Sequence, residues 1–275
     1  MLKSLNAMIH PTAVIAPSAV IGADVKIGPF CTVGGQVVLE DGVELVSHVV
    51  VDGRTRLGAG VKLFPFCTVG LAPQDLKYSG EDTETVIGPR TQIREHASIH
   101  RGTVTGTGVT RIGADCLLMA TVHVAHDCQV GDGVIMSNNV VLGGHVEIGD
   151  RAILGGAAAL LQFVRVGTGA MVGGLTGVTR DVTPYCRVFG PRAEMLGLNI
   201  IGLRRRGVER SQLQAIQEAH RFIFSGPGVF AARVAEARNS FGTDSYVVEM
   251  LDFIANPSRH GLITTVAGAS SEGEG

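Results

Sequence analysis

The stretch IGADCLLMATVHVAHDCQVGDGVIMSNNVVLGGHVEIGDRAILGGAAALLQFVRVGTGAMVGGLTGV, Ile112 to Val178, places an aliphatic residue or methionine at every sixth position: Ile112, Leu118, Val124, Val130, Met136, Leu142, Ile148, Leu154, Leu160, Val166, Val172 and Val178. Upstream, an earlier train runs Ile9, Ile15, Ile21, Ile27, Val33, Leu39, Leu45, Val51, Leu57, Leu63 and Val69, with Ile87, Ile93 and Ile99 between the two. Four residues after each stands a small or β-branched side chain, such as Ala13, Val25, Cys31, Cys116 or Val122. A period of six fits neither the 3.6 of a helix nor the alternation of a two-sided strand. It suits a short strand followed by a tight turn, three of which close an 18-residue triangular coil. Such coils stack as parallel strands about 4.8 Å apart, and each inward aliphatic is then buried on all sides, worth roughly 1.5–3 kcal/mol.

Composition agrees with a turn-rich β body. Glycine supplies 38 of 275 residues, about twice the usual ~7%, with no collagen triplet. Charged residues are 17% and the net charge is -2, so the footprint of a general nucleic-acid binder is missing; a small phosphate-bearing ligand remains compatible. Of the five cysteines, Cys31, Cys67, Cys116 and Cys128 fall at the repeating small-residue position and none belongs to a C-x-x-C pair. With Cys186 they read as reduced core residues. No apolar run is long enough for a signal peptide or a membrane span. A cytoplasmic protein is expected, with Met8 an alternative start to Met1.

The trains break at residues 71–85, LAPQDLKYSGEDTET, and at 103–110, TVTGTGVT, after which the phase slips by one. Breaks in a solenoid are where loops leave the coil. Gly106 and Gly108 mimic part of a phosphate loop, but no strand-to-helix context follows. Beyond Val178 helical patterns take over. Residues 211–224 put Leu213, Ile216 and Ile223 on one stripe, with Ser211 a candidate cap and Gly226-Pro227 a stop, and two further helices are expected over 227–239 and 245–255. The expected organisation is a β-helix over 1–190, an α-helical C-terminal subdomain over 191–259 that caps the last coil, and a disordered tail over 264–275.

Four of the nine histidines, His100, His123, His126 and His145, fall within about three coils. With a coil of 18 residues, His126 lies under Gly144 and Gly144 under Gln162, while Asp127 lies under His145 and His145 under Phe163. One patch then carries imidazoles, a glycine N–H and an amide. A neutral imidazole can take a hydroxyl proton and return it to a leaving thiolate, and a glycine N–H can meet a tetrahedral oxyanion. Against this stands the bland role of turn histidines that merely bond backbone corners. A zinc site of the kind found in gamma-type carbonic anhydrases, which share the hexapeptide pattern, needs histidines five residues apart. Here Thr121 and Val140 stand five before His126 and His145, so no metal is expected. An acetyl-CoA-dependent acyltransferase and a non-catalytic scaffold are the other readings of the same repeat.

The hexapeptides resemble the left-handed parallel β-helix of a large acyltransferase superfamily, and the handedness is taken from that resemblance. More specific are Gln74 to Glu81 (QDLKYSGE), Ile99 to Thr103 (IHRGT), His123 to Cys128 (HVAHDC), Gly144 to Val146 (GHV), Gln162-Phe163, Met171 to Gly174 (MVGG) and Asn199 to Gly207 (NIIGLRRRG). In this order they resemble the UDP-N-acetylglucosamine O-acyltransferases across essentially the whole chain, although Leu161 stands where that family often has a histidine. The resemblance implies transfer of an R-3-hydroxyacyl group, about fourteen carbons long, from acyl carrier protein to the 3-position of UDP-N-acetylglucosamine, opening lipid A biosynthesis. It implies a homotrimer and no cofactor. His126 becomes the general base assisted by Asp127, and Gly144 the oxyanion donor. Gln74, Asp75, Lys77, His100, His123, His145 and Gln162 line the pocket, and Gly174 sets chain length. Asn199 and Arg205 hold the nucleotide, with Arg206 supplied by a neighbouring subunit. A guanidinium fork suits a diphosphate.

Overall fold

The structure, a computed structural model, describes residues 6–264. Apart from Thr264, the tail expected to be disordered lies outside the described residues. From Met8 to Val178 the chain winds as a triangular solenoid. Most strands are only two residues long, such as Leu117–Leu118, His123–Val124 and Gln129–Val130. They fall in rotation onto three faces, forming sheets of eleven, nine and eight strands, here called faces one, two and three in the order in which the chain visits them.

Pairing within the solenoid is parallel and in coil register, as in Gln129↔Glu147 and Val130↔Ile148. Successive residues of a strand point to opposite sides. The second residue of each pair is therefore the inward aliphatic, fully buried from Ile27 onward, and the first, including His123, faces out. Ile9 is 47% exposed because, among the described residues, no coil lies beneath it. All five cysteines are buried and unpaired.

Sharp corners need left-handed backbone. Asp127, His145 and Phe163 hold φ of 61°, 61° and 65° at successive turns of the corner between faces two and three, a conformation costing a non-glycine residue roughly 1 kcal/mol. Stacking of the coils enforces it: His145 N–H bonds His126 O and Phe163 N–H bonds Gly144 O, both at 3.0 Å.

Both interruptions leave at that same corner. One joins strand Thr68–Leu71 on face two to Glu84–Ile87 on face three. The other joins Ser98–His100 to Val109–Ile112. The loops are thus 72–83 and 101–108 rather than 71–85 and 103–110. The strands reclaim Thr85 and Thr110, which pair with each other, whereas Arg101 and Gly102 already bond across the loop roots to Leu71 O and Glu84 O.

After the last coil an antiparallel hairpin, Cys186–Phe189 and Glu194–Leu198, extends face one. The boundary drawn at 190–191 falls in its turn, and the helices start at Ile200. They are α1 (Ile200–Arg205), α2 (Arg210–Ser225), α3 (Phe230–Phe241) and α4 (Ser245–Ala255). α1 was not anticipated. Ser211 lies inside α2, whose N-cap is Glu209 without a side-chain bond. α2 ends at Gly226, and its stripe Leu213, Ile216, Ala219 and Ile223 is buried.

Candidate active site

The corner between faces two and three gathers the histidines. Val124 anchors its strand inward, so the turn that follows projects His126 outward from the coil. The residue is nevertheless buried, at 9% relative exposure, because loop 101–108 folds over the corner. The His126 Nδ1 and Asp127 Oδ2 are 2.8 Å apart. Asp127 also accepts from the Thr103 N–H (3.1 Å) and hydroxyl (2.6 Å), the Thr107 hydroxyl (3.3 Å) and the Gly108 N–H (3.1 Å). Burial, the largest influence, pushes its carboxyl up, but the bonds from Thr103 and His126 together outweigh it and leave the pKa below the ordinary value. An ionised Asp127 accepts the Nδ1 proton, and the lone pair of His126 is then on Nε2.

That nitrogen faces Gly144. A Cβ on residue 144 would stand 2.7 Å from Nε2 and 2.6 Å from Cε1. Among the described residues no group accepts the Gly144 N–H. His126 and the Gly144 N–H are therefore neighbours by coil stacking alone. Gly106 is needed on the opposite side, since a Cβ there would fall 2.3 Å from Asp127 Cγ. This accounts for the glycine that resembled part of a phosphate loop.

The other three imidazoles surround this pair. His145 stands edge-on to His126 with centroids 4.9 Å apart, and its Nδ1 is 3.8 Å from Asp127 Oδ2. His123 and the Ser98 hydroxyl are bonded at 2.7 Å. His100 stands edge-on to His123 at 4.9 Å, with a buried Nδ1 that has no partner. Burial lowers all three pKa values, that of His100 to about 4 with His123 and His126 adding repulsion. They are neutral donors and acceptors at pH 7.

His126, Asp127 and His145 offer three ligand atoms within 4.8 Å, the one such grouping found among the described residues. The carboxylate is already surrounded by hydrogen-bond donors, and a metal would have to displace them. The donor set fits a proton-handling dyad better than a metal site.

Loop 72–83 carries Gln74, Asp75 and Lys77 over the same corner. Asp75 Oδ1 accepts from the Lys77 N–H at 3.1 Å, and its charge is felt by His145. Gln162 is exposed on the coil above Gly144. Ser98, Thr103 and Thr107 escaped attention individually, and only the threonine-rich run 103–110 hinted at a polar lining. Arg259 and His260, from the segment after α4, also reach this corner and had no signal in the sequence.

The remaining expected residues lie elsewhere on the chain. Asn199, Arg205 and Arg206 line a groove of about 1330 Å³ between face one and helices α1 and α2. Asn199 caps α1, accepting the Gly202 N–H and donating to Gly169 O, both at 3.0 Å. Gly169 and Asp150, whose carbonyl accepts from Arg206 at 3.4 Å, mark the corner between faces three and one. Gly174 sits at the remaining corner, between faces one and two, stacked on Gly156. It shares the hexad phase of His126, 48 residues earlier. The two are on different corners, and within one chain they do not meet.

Comparison with known proteins gives this arrangement a family. Residues 181–263 match the second domain of UDP-N-acetylglucosamine O-acyltransferase, and 6–35, 18–53 and 110–144 match the bacterial transferase hexapeptide repeat. The acyl-[acyl-carrier-protein]--UDP-N-acetylglucosamine O-acyltransferase of Caulobacter vibrioides is 48% identical over 254 residues, 92% of this chain and 97% of the relative. Among solved structures, LpxA from Acinetobacter baumannii superposes with a TM-score of 0.87 at 41% identity, covering 93% of this chain and 99% of that one. The UDP-N-acetylglucosamine O-acyltransferase of Moraxella catarrhalis gives 0.90 at 40%, with the same coverage. The solenoid is the left-handed β-helix expected of hexapeptide repeats, and the chain belongs to the family of UDP-N-acetylglucosamine O-acyltransferases.

Proposed function

We propose that this acyltransferase moves an R-3-hydroxyacyl group from acyl carrier protein to the 3-hydroxyl of UDP-N-acetylglucosamine, the reaction that opens lipid A biosynthesis, with His126 as general base. The observation that carries the reading is the His126 ring held between Asp127 and Gly144. The sugar hydroxyl attacks the thioester carbonyl as His126 Nε2 takes its proton. The oxyanion of the tetrahedral intermediate accepts the Gly144 N–H. Collapse breaks the C–S bond, and the departing thiolate takes the proton back from His126. Asp127 stabilises the imidazolium in between. His100, His123, His145, Gln74, Asp75, Lys77 and Gln162 line the acceptor side, where neutral imidazoles present hydrogen bonds to sugar hydroxyls at no electrostatic cost.

Asn199, Arg205 and Arg206 for the nucleotide, and Gly174 for the end of the acyl chain, serve this centre when another copy brings its corner alongside. A cytoplasmic homotrimer with sites between subunits follows. The decisive assay mixes the protein with the carrier-bound hydroxyacyl donor and UDP-N-acetylglucosamine and looks for acylated sugar nucleotide, with the 3-amino acceptor in parallel. Absence of product with either acceptor overturns the reading. Mixing inactive H126A and R206A chains tests the shared site: reassembled oligomers regain activity if the two residues act from different copies, and remain inactive if they act from one.

A further inference from the structure

The segment after α4 returns to the solenoid and is fastened there. Asp181 N–H bonds Gly261 O and Ile263 N–H bonds Asp181 O, both at 2.9 Å. Asp181 is itself fully buried and held by Arg165 at 2.8 Å. His260 Nε2 lies 2.8 Å from Gln162 O, on the coil above Gly144. This fixed backbone lays the Arg259 guanidinium 3.8 Å over the Phe163 ring. Phe163 in turn stacks on His145 with centroids 4.3 Å apart and planes at 6°, and His145 stands edge-on to His126 at 4.9 Å and 89°. A continuous column thus runs from a cation, through two stacked rings, to the imidazole beside Asp127. Among the described residues Arg259 makes no ion pair, so the stack is its main engagement.

We propose that Arg259 is a positioning residue for acyl transfer, acting through Phe163 and His145 to keep the His126–Asp127 pair aligned; the inference rests on His126 being the base. Two effects follow from the geometry. A planar guanidinium on the outer ring face, an arrangement Lys cannot reproduce, pins Phe163 and hence the plane of His145. Its charge also opposes protonation of His145. The charged and titratable groups around that imidazole are Asp127 and His126 on the corner, Asp75 of loop 72–83 and Arg259; burial, the neighbouring His126 and the Arg259 charge lower its pKa, and Asp127 and Asp75 oppose them. A protonated His145 would compete with His126 for Asp127 and set a like charge beside the base.

The test is steady-state kinetics of R259A and R259K in the full-length oligomer, with both KM values and the pH profile of kcat, after thermal melts confirm folding. R259A is expected to lower kcat about tenfold, leave both KM values within twofold, and move the acid limb of kcat to higher pH. R259K is expected to restore the acid limb while recovering only part of kcat. NMR titration of the His145 imidazole gives a readout independent of turnover and should show its pKa raised in R259A. Unchanged kcat and unchanged His145 titration overturn the proposal. So does an effect confined to KM for either substrate, which would make Arg259 a direct contact to a phosphate of that substrate. H126A run alongside separates the two levels: a dead H126A with a normal R259A removes only the role of Arg259.

Discussion

Adding one methyl group at position 144 tests the core of the catalytic reading. The Gly144→Ala Cβ would stand 2.6 Å from His126 Cε1, 2.7 Å from Nε2 and 3.2 Å from Nδ1, whereas comfortable carbon contacts lie at about 3.5–4.0 Å. The ring must retreat by about 1 Å. It has little room, because Asp127 holds Nδ1 at 2.8 Å and His145 abuts it at 4.9 Å between centroids. A misplacement of that size costs about a hundredfold in rate, or about 2.7 kcal/mol of barrier. The backbone itself accepts alanine, since Gly144 is not in the left-handed region, and alanine keeps the N–H. Loss of activity would therefore report on the displaced base rather than on a missing oxyanion donor. We expect kcat to fall about a hundredfold, with a melting temperature close to that of the parent. A kcat within threefold would show that His126 is not held where the mechanism needs it, or is not the base.

Truncating the base itself, His126→Ala, should lower turnover by about two to four orders of magnitude with the fold retained; near-normal turnover would remove His126 from the mechanism. Asp127 has a folded pKa below its ordinary value, so its contribution to stability is present above the unfolded carboxylate pKa of about 3.9 and is lost as pH falls through the folded value. Acid melts should therefore be flatter in Asp127→Asn than in the parent, and parallel curves would contradict this. Arg204, Arg205, Arg206, Arg210 and Arg221 form no ion pairs among the described residues, and an acidic carrier protein is expected to dock on them. Raised salt should increase the KM for the carrier substrate; a value independent of salt would count against that face. Gly174→Met should favour a donor about four carbons shorter, each excluded methylene forfeiting roughly 0.8 kcal/mol. Rates with ten-, twelve- and fourteen-carbon donors decide it, and an unchanged length profile places the ruler elsewhere.

The solenoid was legible because its signal is strictly local and repeated: each inward aliphatic reports its own burial, and Ile27 through Val178 are buried as the period demands. Coil stacking then places His126 beneath Gly144 and His145 beneath Phe163 by counting alone. Contacts made by segments outside the period escaped counting. Nothing in TVTGTGVT says that Thr103, Thr107 and Gly108 all turn toward Asp127, since a loop closes where its ends and partners allow. The hairpin ending at Leu198 and the short helix α1 were missed because the run AEMLGLNIIGL has apolar residues at no single period. Arg259 and His260 reach the corner only because Asp181, nearly eighty residues earlier in the chain, anchors the segment that carries them.

The placement of Gly174 shows what a hexad phase can and cannot say. Position within the hexad fixes whether a residue faces in, faces out or sits in the turn, and His126 and Gly174 share the turn position. Which of the three corners it occupies depends on the remainder after division by a whole coil, and insertions reset that count wherever they occur, as the pairings Leu63↔Ile93 and Ile93↔Leu118 show. No insertion separates His126 from Gly174, yet their separation is not a whole number of coils, so His126 stands between faces two and three and Gly174 between faces one and two. Asn199 and Arg206, proposed for the nucleotide, gather near the remaining corner, around Gly169 and Asp150. Three parts of one proposed site thus project from the three corners of one triangle. A single rigid solenoid cannot bring its own corners together, whereas the proposed oligomer would set a corner of one copy against a neighbour's. On the proposed reading, the triangular coil that makes the fold stable is the same feature that leaves a lone chain without a complete site, and the chain-mixing experiment with H126A and R206A measures that directly.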